Sequence, residues 1–483
     1  MKKIIAWVLL LAFVFSLSAC GNKSQQATGN ATKQNALSNI DGFCAGYSKV
    51  CVNPQGQIPL VGYSNNNFRW CQKIIDNIYS SAVAMSDGEN NVILINVDIA
   101  TAESSLVNDV RMLIQAQIEI SAENIIICGT HSHSLPDSGT TIEEAAQYRE
   151  LLTQGIVQSA VEAWQDLKPA SLSVGSIETE RMNFVRHYEM SDGSVISDNH
   201  GTAAGKTFVG HTTQADPTLF VAKIERENAQ DIVMCNWRAH PHFTGGAAVY
   251  NLSSDYIGPF RDGVEDLTGA NFLFLQGGAG NINEKSRMIE ENRTTDYRVY
   301  GSILADYTVE CLENNMTSVV TDSLSVKSMT IYGEINKLDT NLYYTAKAVD
   351  TIFKSTGDAT SAMALVTDGS IQSVYHASAA VKNYSRTTEK DGKMELTAVT
   401  IGDSFAFVTF PGEAYDSISV RAEDISPYDT TMFIGYCNGH IGYLPDEYAF
   451  EYGCYETDIT RFVIGTDVQV VEAYKNLLNS TQS

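Results

Sequence analysis

Positive charge is scarce in this 483-residue chain: 32 Lys and Arg stand against 57 Asp and Glu, a formal net charge of −25. Binding nucleic acid needs a basic face that neutralises phosphates, so that class is excluded. Charged residues of both signs make up only 18% and apolar residues 44%, which excludes a disordered acidic chain and a polytopic membrane protein. No C-x-x-C pair or zinc-ribbon spacing occurs, and no G-x-S-x-G nucleophile elbow. The glycine run Gly277–Gly280 is not followed by a P-loop lysine. Beyond the first twenty residues no apolar run is long enough to span a bilayer, and no repeat or second linker interrupts the body. Histidine is also rare, at nine residues, so its positions carry information.

What is present begins with an export signal. Lys2 and Lys3 precede an apolar run, Ile4 to Phe15, and small residues then lead to Cys20. Leu17-Ser18-Ala19-Cys20 resembles the lipobox of bacterial lipoproteins, which implies cleavage after residue 19 and a lipid on Cys20. Residues 20–43 are rich in Asn, Ser, Gln, Thr and Gly and read as a flexible tether. The expected organisation is a signal peptide at 1–19, a lipidated tether at 20–43 and one large domain at 44–483. The expected location is extracytoplasmic, with the chain held at the bacterial membrane by its N-terminal lipid.

Strand-like and helix-like runs alternate through the body. NVILINVD (Asn91 to Asp98) and NIIIC (Asn124 to Cys128) read as buried strands, as do the runs starting at Asp231, Asn271, Ser404 and Thr431. Ala102 to Ile118 predicts a helix with Leu106, Val110, Leu113 and Ile114 on one face, and Thr141 to Trp164 predicts a second. Ser323 to Ile335 and Lys393 to Ile401 alternate apolar with polar residues, as antiparallel strands with one wet face do. The fold class is therefore α/β, with mixed sheets and flanking helices. Cys128 and Cys235 lie inside apolar runs and read as buried free thiols, whereas Cys44, Cys51 and Cys71 cluster closely enough to suggest one disulfide.

Five buried strands each end in a polar turn: Gly129-Thr-His-Ser-His-Ser134, Arg238-Ala-His-Pro-His242, Gln276-Gly-Gly-Ala-Gly-Asn281, Pro411-Gly-Glu413, and Tyr436-Cys-Asn-Gly-His-Ile-Gly-Tyr443. If these strands are parallel neighbours, their carboxyl ends meet at one edge, where α/β sheets bind ligands. His131, His133, His240 and His242 occupy two of these turns, and Glu413 adds a carboxylate. Two or three histidines with a carboxylate are the usual ligand set of a hydrolytic zinc site.

These segments also carry a resemblance. The His131 and His240 turns, Ser253-Ser-Asp-Tyr256, Phe274 to Ile282, Pro411-Gly-Glu413 and Tyr443-Leu-Pro-Asp-Glu-Tyr448 resemble, in order, the neutral/alkaline non-lysosomal ceramidases. The resemblance spans the body and is closer to shorter bacterial relatives, since no room remains for a C-terminal immunoglobulin-like domain. It implies a single ceramidase-like catalytic domain that binds one Zn²⁺ through His131, His240, Glu413 and Tyr443. It places His133 beside the metal, to assist water or substrate, and Arg186 where it meets an oxyanion. His440 stands in the Tyr443 segment as a competing ligand. One departure is marked: Asn281 and Asn283 occupy the positions of the family's aspartate and catalytic serine. The expected function is hydrolysis of an amide in an N-acylated lipid or small molecule by metal-activated water. The alternative is a ligand-binding lipoprotein without turnover.

Overall fold

The structure is a computed structural model that describes residues 42–63, 69–139, 142–197, 200–246, 249–289 and 292–481. The expected signal peptide and nearly all of the tether lie outside the described residues. The described residues fall in one compact unit.

Nine strands form the larger sheet: β1 (Cys44–Cys51), β2 (Tyr79–Ser86), β3 (Asn91–Val97), β4 (Ile125–Gly129), β5 (Lys168–Glu178), β6 (Thr218–Arg226), β7 (Ile232–Trp237), β8 (Asn271–Gln276) and β9 (Thr317–Val319). Their order is β8-β7-β6-β5-β1-β2-β3-β4, with β9 paired to β5. Only β7–β8 and β3–β4 are parallel pairs. A second sheet holds β10 (Leu324–Tyr332), β11 (Lys393–Ile401), β12 (Phe405–Thr409) and β13 (Thr430–Ile434) in that order, with β12–β13 parallel.

The two sheets pack face to face between helices, and the sequence shows why. A strand buried on both faces has no polar side to alternate with. In β3, Ile93 and Ile95 point to the helices α1 (Ser104–Gln115) and α2 (Glu143–Gln165), while Val92 and Leu94 point to the second sheet. In β12, Phe405 and Phe407 face the larger sheet, and Ala406 and Val408 face outer helices that include Thr466–Ser480. Helices α3 (Ile257–Thr268) and α4 (Tyr297–Asn314) cover β7 and β8 through Phe260, Val264, Tyr300 and Leu304.

The expected α/β class with mixed sheets is thus what the chain adopts. Three finer expectations need correction. The five strands with polar turns are not neighbours in one sheet: β4 lies at one edge of the larger sheet, β7 and β8 at the other, and β12 and β13 in the second sheet. Their ends converge because the sheets are stacked. Leu113 is 40% exposed, because the buried face of α1 centres between Val110 and Ile114, about 80° round the helix from it. No disulfide joins Cys44, Cys51 or Cys71, and none forms among the eight described cysteines. Cys44 and Cys51 end the same extended strand, roughly 23 Å apart, which no disulfide can bridge.

Ile126 is fully buried where the two sheets meet. Ile126→Ala should cost about 2–5 kcal/mol in urea unfolding, whereas Leu267→Ala on the exposed side of α3 should stay within about 0.5 kcal/mol.

Candidate metal centre

The turn after β4 places His131 in the left-handed region, at φ 68°, which a non-glycine residue adopts at a cost of about 1 kcal/mol. The surrounding backbone imposes it: the amides of Thr130 and His131 bond to the carbonyls of Val97 and Ile99 at 3.0 Å. The His131 Nδ1 lies 2.6 Å from the Ala100 carbonyl. A carbonyl can only accept, so Nδ1 carries the proton and Nε2 presents a lone pair. His240, just after β7, repeats this arrangement, with Nδ1 2.6 Å from the Ala279 carbonyl.

Glu413 arrives from the second sheet. Glu413–Ala414 pairs in parallel with Tyr443–Leu444, so Glu413 and Tyr443 are register partners. The Glu413 Oε2 stands 3.3 Å from both His131 Nε2 and His240 Nε2. None of these three atoms has a hydrogen-bond partner, and all are buried. Two lone pairs and a carboxylate oxygen facing one another repel unless a cation lies among them. Ligands about 2.0–2.2 Å from a tetrahedral zinc stand roughly 3.3–3.5 Å apart, so the donor set fits such an ion.

The electrostatics agree. Burial, reinforced by Arg186, lowers His240 to about 4, so its imidazole is neutral at pH 7. Burial and then the neighbouring histidines hold His133 well below the usual range. Burial raises the Tyr443 phenol, and Glu413 adds to this, so ionising it would need a cation alongside.

The structure therefore brings His131, His133, His240 and Glu413 together. The ligand nitrogens of the three histidines lie within 4.8 Å of one another, a grouping that could hold a metal ion. Tyr443 stacks on the His240 ring at 6.5 Å. His440 Nε2 is 4.0 Å from Glu413 Oε1. A cavity of about 350 Å³ opens onto His131, His133, Glu413, His440 and Tyr443. A larger cavity, about 730 Å³, contains none of the histidines, so the site is assigned on chemistry rather than size.

Two sequence-selected residues lie apart from the cavity. His242 turns to Glu284, at 2.7 Å. Arg186 sits behind the Tyr443 ring, 5.5 Å from its centre, and donates to Glu456 Oε1 at 2.7 Å and to the Gly280 carbonyl at 2.8 Å. Glu456 is buried and also accepts from His187 Nε2 at 2.9 Å, while Cys454 Sγ lies 3.2 Å from the Tyr415 hydroxyl. His187, Cys454 and Glu456 are close enough to suggest a second metal group. Their ligand atoms already have protein partners, however, so they form an ion network that holds Arg186. Sequence reasoning missed Glu456 and His187, since no local pattern marks a pairing across 270 residues, and it missed Glu284, which meets His242 only in the fold. Asn283 is buried in a two-residue strand that pairs with Phe184–Val185, and it forms a bridge to His240.

Residues 45–244 match the family described as neutral/alkaline non-lysosomal ceramidase, N-terminal. A crystal structure of neutral ceramidase from Pseudomonas aeruginosa superposes with a TM-score of 0.68 at 14% identity, over 92% of this chain and 75% of that one. This chain has the neutral ceramidase fold. A second structure, a ceramidase complexed with C2, gives a TM-score of 0.67 at 14% identity, over 92% and 76% of the two chains. No curated protein matches the chain. The family match contains His131, His133, Arg186 and His240, while the regions bearing Glu413 and Tyr443 lie beyond it.

The Arg186 network has a pH signature. Burial alone would lower His187, but Glu456 outweighs it and raises the imidazole to about 10. Between the unfolded value near 6.5 and about 10, the folded state binds the extra proton, so stability falls as pH rises. Urea unfolding at pH 6 and pH 9.5 should show this loss in the parent, on the order of a few kcal/mol, and a much smaller one in His187→Gln.

Proposed function

We propose that this protein is a zinc-dependent hydrolase that cleaves the amide bond of an N-acylated substrate, a ceramide-like lipid or a related acylated small molecule. The observation that carries this reading is the meeting of three unpartnered, buried acceptors: His131 Nε2, His240 Nε2 and Glu413 Oε2. The ceramidase family match and fold supply the reaction class. Zinc held by His131, His240, Glu413 and Tyr443 would polarise the scissile carbonyl and make water a stronger nucleophile.

The chain's own residues do the rest. His133 is neutral, and its buried Nδ1 has no partner, so the imidazole can take a proton from water. Its backbone carbonyl accepts from Arg69, which fixes the turn. Water oxygen bonds to the carbonyl carbon, the C–N bond breaks, and the nitrogen leaves with the proton taken from water. The acid so formed gives its remaining proton to the amine, and the products are a carboxylate and a protonated amine. Arg186 stacks behind Tyr443 and is held there by Glu456, so it orients the tyrosine. Asn283 has a carboxamide where the family has a serine, and a carboxamide is no nucleophile, so water is the nucleophile of this reading. The lipobox-like Leu17–Cys20 supports placing the enzyme outside the cytoplasm, with its lipid anchor in the membrane.

Purified protein loaded with zinc should hold about one ion per chain, and His131→Ala with His240→Ala should abolish it. Tyr443→Phe should weaken zinc binding at least tenfold while His440→Ala leaves it within about threefold. The reverse pattern would make His440 the fourth ligand, and a parent that binds no zinc would remove the hydrolase reading.

A further inference from the structure

The segment that leaves the second sheet after β13 lies along the free edge of β4, and two cysteines meet there. The Asn438 amide donates to the Ile127 carbonyl at 2.8 Å, and the Gly129 amide donates to the Tyr436 carbonyl at 3.1 Å. These bonds flank Cys128 and Cys437, which stand opposite each other in an antiparallel bridge. A pair flanked in this way is the non-hydrogen-bonded kind. Its Cα atoms approach to about 4.5 Å, and both side chains leave on the same face. A disulfide spans roughly 4.4–6.8 Å between Cα atoms, so the backbone geometry already suits one. Both side chains are fully buried in the core between the two sheets. Burial, and then a hydrogen bond to Cys128, push the Cys437 thiol well above its ordinary pKa.

Register sets this pair apart. Cys44 stands opposite Ser86, Cys51 opposite Tyr79, and Cys235 opposite Val221 and Phe274. Among the described residues no other bridge sets one cysteine against another. The place matters as well. Cys128 precedes His131 by three residues, and Cys437 precedes Tyr443, the register partner of Glu413, by six. A bond between the two sulfurs would tie the end of β4 to the second sheet beside the candidate centre. The lipobox-like leader supports export, and disulfides persist outside the cytoplasm.

We propose that Cys128 and Cys437 are a disulfide-forming pair, oxidised by a disulfide donor as the exported chain folds. One cysteine attacks the donor disulfide as its thiolate and displaces one donor thiolate. The other cysteine attacks the mixed disulfide and displaces the second. The Cys128–Cys437 bond forms, both cysteines lose their protons, and the donor gains two electrons and two protons as two thiols. Exchange takes place before the crossing closes, because both thiols are fully buried in the folded chain. The same burial then shields the bond from reductants. The link stands independently of the hydrolase reading, and only its effect on zinc rests on that reading.

The test maps the link in the full chain, exported by a bacterial host and alkylated in denaturant at lysis. Peptide mass spectrometry should find Cys128 joined to Cys437, lighter by two hydrogens than the two thiol peptides together. Dithiothreitol in urea should release both, and Cys128→Ala or Cys437→Ala should abolish the joined peptide. Zinc release to a chelator should be about tenfold slower from the exported protein than from protein refolded with dithiothreitol and then freed of it. Cys128 and Cys437 both alkylated in the exported chain, or either joined to a different cysteine, overturns the proposal. Equal zinc release by the two forms overturns the role of the link at the centre. A mapped link in a protein that binds no zinc overturns the hydrolase reading and retains the link.

Discussion

The centre depends on how one short segment joins two sheets. Beyond β13, residues 435–438 leave the second sheet and bond to the ends of three other strands. The Gly435 amide donates to Gln276 at the end of β8, Cys437 to Phe410 after β12, and Asn438 to Ile127 in β4. The Asn438 side chain accepts the Ile127 amide in return. Tyr436 and Asn438 both take positive φ, so the backbone turns twice in four residues. Gly435 passes close to carbonyl oxygens of Gly277 and Gly412, at 3.1 and 3.4 Å from where a Cβ would stand. A side chain there would press on the crossing, which explains glycine at this position.

This crossing turns a packing interface into a site. His131 comes from one edge of the larger sheet, His240 from the other, and Glu413 from the second sheet. Each is held by main-chain bonds. The Gly280 amide donates to Ala414, and the His240 amide donates to Ile282, so the glycine-rich turn lies between His240 and Glu413. The imidazoles are aimed by the Ala100 and Ala279 carbonyls, which leaves both Nε2 atoms facing Glu413. Burying unpaired polar atoms is unfavourable by about 1–3 kcal/mol each, and a well-packed fold keeps three together only where something offsets that cost.

Much of this was legible in the chain itself. Continuous apolar runs such as NVILINV mark strands buried on both faces, and these are strands of the face-to-face sheets. The His-x-His turns and Pro-Gly-Glu were readable because each polar turn follows directly on its strand. Strand neighbours were not readable: β4 and β12 look alike as sequence, and only long-range pairing assigns them to different sheets. The same limit hid Glu456 beneath Arg186, an ordinary acid until the fold pairs the two. The cysteine cluster misled because nearness in sequence along a strand is separation in space.

The central claim is that His131, His240 and Glu413 form a metal centre, and anomalous diffraction at the zinc edge from crystals grown with zinc tests it most directly. A single strong peak within bonding distance of His131 Nε2, His240 Nε2 and a Glu413 carboxylate oxygen is the predicted result. No peak at that position, or a peak at His187, Cys454 and Glu456 instead, would contradict the account.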